Sequence, residues 1–156
     1  MSKSIKNSNK EFQVSQELET LAEKIIKDEG MEIYPSEISY LLVYPNISKT
    51  VAGRCIRTGK ELKFFSGKDY LIEISGELWD TLDASARKIL MEHELRHIMP
   101  VMNNKTGEWK FELRNHDIME FSSIIKKYGI NWIDKVKLSI SSLYDLTPKD
   151  ESKITF

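Results

Sequence analysis

The residues best suited to carry out chemistry lie in one short stretch, Ile89 to Ile98. It contains His93, Glu94 and His97 in the order H-E-x-x-H. On an α-helix, residues four apart share a face and lie about 6 Å apart along the axis, so both imidazoles can reach one metal ion. Glu94 is rotated by about 100° around the helix, beside the metal, where its carboxylate can hold a metal-bound water and accept its proton. This chemistry is typical of a zinc hydrolase.

The composition helps to decide between a metal site and a chance motif on a helix surface. A structural zinc site would use four protein ligands, commonly cysteines, but the single cysteine, Cys55, is far from the motif. The chain has three histidines. Three histidine ligands leave a fourth position to water, which is the catalytic arrangement, and they favour zinc over iron or manganese.

The third histidine, His116, opens a later helical pattern, His-Asp-Ile-Met-Glu-Phe. A loop can bring this helix start next to the motif helix, so His116 is the candidate third ligand. Glu120 follows one turn later on the same face and would orient a ligand histidine through its free ring N–H. In the alternative, Glu120 binds the metal and His116 serves the transition state. Both residue types are ordinary zinc ligands, and the spacing alone does not decide between them.

Length and charge limit the classes of protein to which this chain can belong. With 156 residues, the chain suits one domain around a single core. The formal net charge of −1 gives no basic field, so a nucleic-acid partner is not predicted. A long apolar run and a secretory signal are both missing, so no membrane partner is predicted either. One cysteine excludes an internal disulfide, and we expect a cytoplasmic protein.

The elements that position these residues are predicted from hydrophobic periodicity and breaker residues. We expect a disordered leader over residues 1–10 and then a helix from Glu11 to about Gly30. β-rich stretches predict a small mixed or antiparallel sheet, with strands at Ile38–Tyr44, Thr50–Arg57 and, most clearly, Tyr70–Ser75. An extended peptide could pair along Tyr70–Ser75 if that strand lies at an edge.

The second half of the chain is predicted to carry the site. After a turn over residues 77–82, Asp83 is the expected N-cap of the motif helix, and Pro100 is expected to end it. A turn-rich loop then leads to Trp109–Phe111, which is either a short strand or a flap over the site. A further helix is expected over Asn115–Tyr128, with Gly129 as its C-cap. The fold class is therefore α+β.

With both motifs in view, the chain resembles the putative phage metallopeptidase family, small single-domain zincin-like proteins of bacteriophages and related mobile elements. The matching features, over roughly residues 12–132, are the strand Tyr70–Ser75, Trp79, His93–His97 and His116–Phe121. The resemblance implies a single zincin-like domain with a zinc ion on His93, His97 and His116, and Glu94 as the catalytic base. It also implies peptide or protein substrates, met in the cytosol of a bacterial host.

Two functions of different classes remain open. The first is a zinc-dependent metallopeptidase that hydrolyses peptide bonds by metal-activated water with a glutamate general base. The second is a non-catalytic zinc-binding module that a phage or mobile element uses for protein interaction. In both, the leader (residues 1–10) precedes a zincin-like domain (residues 11–133). A C-terminal extension (residues 134–156) follows, helical at first and then a loose tail.

Overall fold

The computed structural model describes residues 9–115, 127–128, 131–144 and 153–156. Within these ranges the chain is a mixed α+β protein, as predicted. The helices are α1 (Gln16–Asp28), α2 (Lys60–Ser66), α3 (Gly76–Thr81), α4 (Ala84–Leu95) and α5 (Asn131–Tyr144). The strands are β1 (Glu11–Val14), β2 (Ile38–Tyr44), β3 (Gly53–Arg57), β4 (Tyr70–Ser75), β5 (Ile98–Met102) and β6 (Trp109–Leu113).

The larger sheet has four strands in the order β1-β2-β4-β3. Strands β2 and β4 run parallel in the middle, and β1 and β3 pair antiparallel on the outside, so the sheet is mixed. The expectation that Tyr70–Ser75 offers an edge to a peptide is wrong, because β4 is paired on both sides. Its side chains are almost all buried, which suits an internal strand between helices. The edge strand next to β4 is β3.

The N-terminal helix begins later than predicted. A helix was expected from Glu11, but Glu11–Val14 forms β1 and pairs with β2. The helix start is set by Ser15, whose Oγ accepts the backbone N–H of Leu18 at 3.2 Å, an N-cap bond. The predicted apolar stripe does face the core, and its fully buried members are Leu18, Ala22 and Ile25.

The motif helix α4 starts as predicted and ends earlier. Asp83 caps it, because its Oδ1 accepts the N–H of Ala86 at 2.8 Å. The helix ends at Leu95, whereas Pro100 was expected to end it. Pro100 instead lies in β5, opposite Phe111 of β6. A two-stranded hairpin tolerates proline because each strand has an outer edge that needs no ladder bond.

Two short helices, α2 and α3, were not predicted from the sequence. Helix α2 contains the apolar stretch around Phe64 and Phe65, and both rings are exposed. Helix α3 covers most of the stretch expected to be a turn. Trp79 of this helix and Leu82, its C-cap, are buried in the core.

The last elements join the main core. Helix α5 crosses the boundary predicted after residue 133, and its Val136 and Ile140 are buried in the core. Residues 153–156 were expected within a loose tail, but Thr155 forms a parallel bridge with Val51. Residues 1–8 of the predicted leader, and most of the predicted helix 115–128 with Gly129, lie outside the described residues. No helix in the described ranges is long and apolar enough to cross a bilayer.

The core connects the sheet to the motif helix. Helices α1 and α4 pack on each other, α1 contacts β2, and α4 contacts β3. Large side chains that are fully buried in this core include Leu18, Ile25, Tyr70, Ile72, Ile74, Trp79, Leu90 and Leu95. The C-terminal end of α4 is therefore held between a helix and an edge strand, which gives the motif a rigid support.

Candidate metal centre

The structure brings His93, Glu94 and His97 together at the end of α4. His93 and Glu94 lie in its last turn, and His97 lies in the turn that follows, where its N–H donates to the carbonyl of Glu94 at 3.2 Å. One ligand atom from each side chain lies within 4.8 Å of the others. The two imidazole rings are 5.1 Å apart, centroid to centroid, and nearly perpendicular at 85°. All three residues are buried, so the cluster is shielded from bulk water.

A backbone contact sets the orientation of His97. Its Nδ1 lies 2.7 Å from the carbonyl oxygen of Arg114. A carbonyl can only accept, so Nδ1 carries the proton in the neutral ring, and Nε2 bears the lone pair that a metal ligand needs. The N–H of Arg114 also donates to the carbonyl of His97 at 2.7 Å, which continues the pairing of β5 with β6. The hairpin therefore fixes the second histidine of the motif.

The carboxylate of Glu94 is the most unusual group of the cluster. The residue is fully buried, and within the described part of the chain neither carboxylate oxygen has a hydrogen-bond partner. Burial raises its pKa to about 8. A buried polar group without partners is costly, so such a group calls for a ligand.

A glycine of β3 makes room for that carboxylate. A Cβ on Gly53 would lie 3.5 Å from Cδ of Glu94 and only 2.9 Å from Cδ1 of Ile74. Glycine therefore lets the edge strand approach the motif helix closely. This role of Gly53 was missed from the sequence; the available signal was that a glycine inside a strand often marks a close backbone approach.

The donor set fits a divalent transition metal. Two imidazoles and a nearby carboxylate are ordinary ligands for zinc, and their convergence within 4.8 Å allows one ion to be shared. Two histidines leave further coordination positions for another protein ligand and for water. The two predicted candidates for that ligand, His116 and Glu120, lie outside the described residues.

The residues that flank this undescribed stretch are nevertheless bound to α4 and its end. On one side Arg114 contacts His97, as above, and its Nη1 donates to the carbonyl of Arg96 at 3.3 Å. On the other side the hydroxyl of Tyr128 donates to Oε1 of the buried Glu92 at 3.2 Å. The chain therefore leaves the site at Arg114 and returns to the same helix end at Tyr128.

Two tyrosine hydroxyls that are candidates for stabilising an oxyanion donate hydrogen bonds to other groups of the chain. The hydroxyl of Tyr70 donates to the carbonyl of Glu112 at 2.7 Å, and burial raises its pKa to about 12. The hydroxyl of Tyr128 donates to Oε1 of Glu92. These two contacts give neither hydroxyl a role in the reaction.

One neighbour of the site was missed from the sequence. The ring of Phe156 lies 5.9 Å from the ring of His93 at an interplanar angle of 76°, an edge-on contact. The end of the extension 134–156 was predicted to be a loose tail because no periodicity extends into it. The signal available was the β-prone tripeptide Ile-Thr-Phe, residues 154–156.

The family comparison covers the site and nearly all of the domain. The sequence model of the family described as putative phage metallopeptidase matches residues 10–144, which include the motif and α5. Neither the search of curated proteins nor the search of solved structures found a match. A family match over this much of the chain, together with the buried His-Glu-His cluster, assigns it: the chain belongs to the putative phage metallopeptidase family, whose name indicates a metal-dependent peptidase.

Proposed function

We propose that this chain is a zinc-dependent metallopeptidase with a zincin-like domain that hydrolyses bonds in peptides or proteins. In this proposal His93, His97 and His116 hold the metal, and Glu94 is the general base. The observation that carries the proposal is the Glu94 carboxylate. It is fully buried and has no hydrogen-bond partner in the described chain. One of its oxygens lies within 4.8 Å of a ring nitrogen of each of the two imidazoles.

Each residue has a distinct part in the proposed reaction. Zinc, when bound, supplies an acidified water and a polarised substrate carbonyl. Glu94 accepts the proton of the attacking water at a carboxylate oxygen and then delivers it to the leaving amine nitrogen. Arg114 holds the tautomer of His97 through its carbonyl, so the ring does not need to reorient during turnover.

The flanks of the undescribed stretch support His116 as the third ligand. The carbonyl of Arg114 is in direct contact with the imidazole of His97. His116 follows two residues later, and two residues of extended chain span at most about 7 Å. In this proposal the short covalent link lets the His116 side chain reach the metal that His97 binds. Glu120 lies further along the chain and stays the alternative, with its main expected role the orientation of a ligand histidine.

The location of the edge strand indicates where a substrate would run. Strand β3 is at the edge of the sheet, and its Gly53 lies beside Glu94. An extended peptide that adds to this edge would present its backbone carbonyls near the site. The peptide-pairing hypothesis therefore applies to β3 itself, Gly53–Arg57, because the residues just before it already pair with Thr155.

Metal content tests the proposal directly. Elemental mass spectrometry of the purified protein should find about one zinc per chain, which is lost in His97→Ala and kept in Lys105→Ala, a control on the exposed hairpin turn. His116→Ala and Glu120→Ala, compared side by side, identify the third ligand.

Cleavage is tested with a peptide mixture whose new chain ends are read by mass spectrometry, with the zinc-loaded protein and after removal of the metal by a chelator. Cleavage by the loaded protein alone supports the peptidase. Zinc binding without cleavage favours the non-catalytic interaction module. A folded wild-type protein that binds no zinc overturns both functions.

A further inference from the structure

The segment 153–156 is held in place by residues 50–52, which lead into β3. The N–H of Thr155 donates to the carbonyl of Thr50 at 2.7 Å, and the N–H of Ala52 donates to the carbonyl of Thr155 at 2.8 Å. These two bonds form the parallel bridge to Val51. Residues 153–156, which pair with the sheet region through this one bridge, are called the added strand.

The support behind this added strand is itself fixed. The hydroxyl of Ser75, at the end of β4, donates to the carbonyl of Val51 at 2.6 Å, and the N–H of Ser75 donates to the carbonyl of Ala52 at 2.9 Å. A continuous set of hydrogen bonds thus runs from the internal strand β4 through residues 51–52 to Thr155. This arrangement gives the segment a defined position relative to the motif helix.

The side chains of the segment alternate as in a strand. Residues two apart share a face, so Ile154 and Phe156 point to the same side. Ile154 is buried in the main core, and Phe156 packs against that core. The segment is thus anchored by backbone bonds on its edge and by apolar burial on its face.

Phe156 meets the first histidine of the motif. Its ring contacts His93 edge-on at 5.9 Å, while the ring of His97 contacts the same imidazole at 5.1 Å. His93 therefore lies in contact with two rings, one from the motif and one from the added strand. Edge-to-face aromatic contacts have a preferred geometry and so restrict the rotation of the ring.

We propose that Phe156 is a positioning residue for His93, and that the 153–156 segment is an integral part of the metal site. By fixing the plane of the imidazole before metal arrives, it reduces the ordering that binding requires. The inference rests on the proposed metal function, and it adds a residue outside the stretch that the family model matches.

Zinc affinity, measured by competition with a chromophoric chelator, tests the role of the ring. Phe156→Ala should weaken zinc binding by about two- to tenfold, the range expected for the loss of one aromatic contact. Phe156→Tyr keeps a ring and should restore wild-type affinity. Phe65→Ala removes an exposed phenylalanine and is the matched control. Equal affinity in wild type and Phe156→Ala would overturn the inference.

The added strand is tested through its backbone. Thr155→Pro removes the N–H that bonds Thr50, whereas Thr155→Ala keeps it. The proline variant should lose zinc affinity to the same extent as Phe156→Ala, and the alanine variant should not. Leu18→Ala, which truncates a fully buried core residue outside the segment, separates a stability effect from a site effect. It should lower the melting temperature of the metal-free protein while leaving zinc affinity within about twofold at a temperature where it is folded.

A measurement without metal keeps the inference separate from the proposed function. NMR relaxation of ¹³C-labelled histidine rings reports the mobility of His93 in the metal-free protein, and only three histidine signals need assignment. Phe156→Ala should increase the mobility of His93. Unchanged mobility would overturn the positioning role even if zinc binds, whereas a wild type with an ordered His93 that binds no zinc would refute the metal function and leave the positioning contact standing.

Discussion

The carboxylate of Glu94 lies fully buried between α4 and the edge strand, beside two imidazoles. At this position a glutamine has nearly the same shape, but its amide cannot accept the proton of an attacking water. The histidines and the backbone around them would be unchanged. The isosteric variant therefore separates proton transfer from metal binding.

We predict that Glu94→Gln lowers kcat/KM by about 10²–10⁴-fold, the usual contribution of a general base, while zinc content stays at the wild-type level. The assay is hydrolysis of a fluorogenic peptide based on the cleavage site found with the peptide mixture. Glu77→Gln, which changes an exposed glutamate of α3, is the control and should keep full activity. A variant at position 94 that retained more than a tenth of wild-type activity would contradict the assigned role.

Among single residues, the sequence was informative where chemistry follows local spacing. His93, Glu94 and His97 could be grouped because four-residue spacing on a helix is a local property. The orientation of His97 could not be predicted, because it depends on a carbonyl from the far side of the β5–β6 hairpin. The contact of Phe156 with His93 joins residues far apart in the chain, and no periodicity signals it.

At the scale of elements, the close approach of β3 to α4 depends on Gly53. Serine at this position would place a Cβ 2.9 Å from Ile74 and 3.3 Å from the carbonyl oxygen of Glu73, with its hydroxyl in addition. The backbone carbonyl cannot move without the sheet. We predict that Gly53→Ser lowers the free energy of unfolding by about 1–3 kcal/mol through overpacking.

Urea unfolding measures this change, and the same substitution at Gly59 is its control. An added Cβ at Gly59 meets nothing within 4 Å, and Gly59 is the N-cap of α2, where serine is favoured. Gly59→Ser should therefore leave stability unchanged or raise it slightly. Equal effects at the two positions would show that the approach of β3 to α4 imposes no packing constraint.

The start of the motif helix is a second element whose contribution can be isolated. Asp83 caps α4 at the end opposite to His93 and Glu94. We predict that Asp83→Ala costs about 1 kcal/mol of stability, measured as a lower urea midpoint, because the N–H of Ala86 loses its partner. Asp83→Ser should recover most of this loss. Zinc affinity should be the same in all three proteins, and a parallel loss of affinity would mean that the cap also shapes the site.

Helices and strands were predicted well where the sequence pattern is local, and poorly where the structure depends on pairing between distant strands. Ile38–Tyr44 and Tyr70–Ser75 are strands as predicted, because β-rich runs between breakers need no tertiary information. Their parallel pairing, which makes Tyr70–Ser75 internal, joins segments that are distant in the chain. Glu11–Val14 was taken into the helix because its partner strand β2 lies well downstream.

At the scale of the whole molecule, the helix end that carries the motif is bonded to parts of the chain on both sides of the undescribed stretch 116–126. Glu92 is fully buried and accepts from Tyr128, and its Oε2 lies 3.4 Å from Nη2 of Arg96. On the other side Arg114 contacts Arg96 and His97. If His116 is the third ligand, zinc affinity depends on these long-range hydrogen bonds as well as on the motif itself.

We predict that Tyr128→Phe weakens zinc binding as well as lowering stability. Loss of the hydroxyl removes a hydrogen bond to a buried carboxylate, which costs about 1–3 kcal/mol of unfolding free energy. Zinc at 100 times the Kd should stabilise the wild type by about 2.7 kcal/mol in urea unfolding, and the same zinc concentration should stabilise Tyr128→Phe by less. Tyr34→Phe, which removes a hydroxyl from an exposed tyrosine, should match the wild type in both respects.

The stabilisation of Tyr128→Phe by zinc shows whether the Tyr128–Glu92 bond and metal binding depend on each other. If the stretch between Arg114 and Tyr128 supplies the third ligand, its attachment through Glu92 and its coordination of zinc stabilise each other, and loss of either weakens both. If His93 and His97 bind the metal without help from this stretch, Tyr128→Phe would lose stability but keep the full 2.7 kcal/mol response, to within about 0.3 kcal/mol. That second result would show that the Tyr128–Glu92 bond does not contribute to the metal site, and His116→Ala and Glu120→Ala would then decide the third ligand on their own.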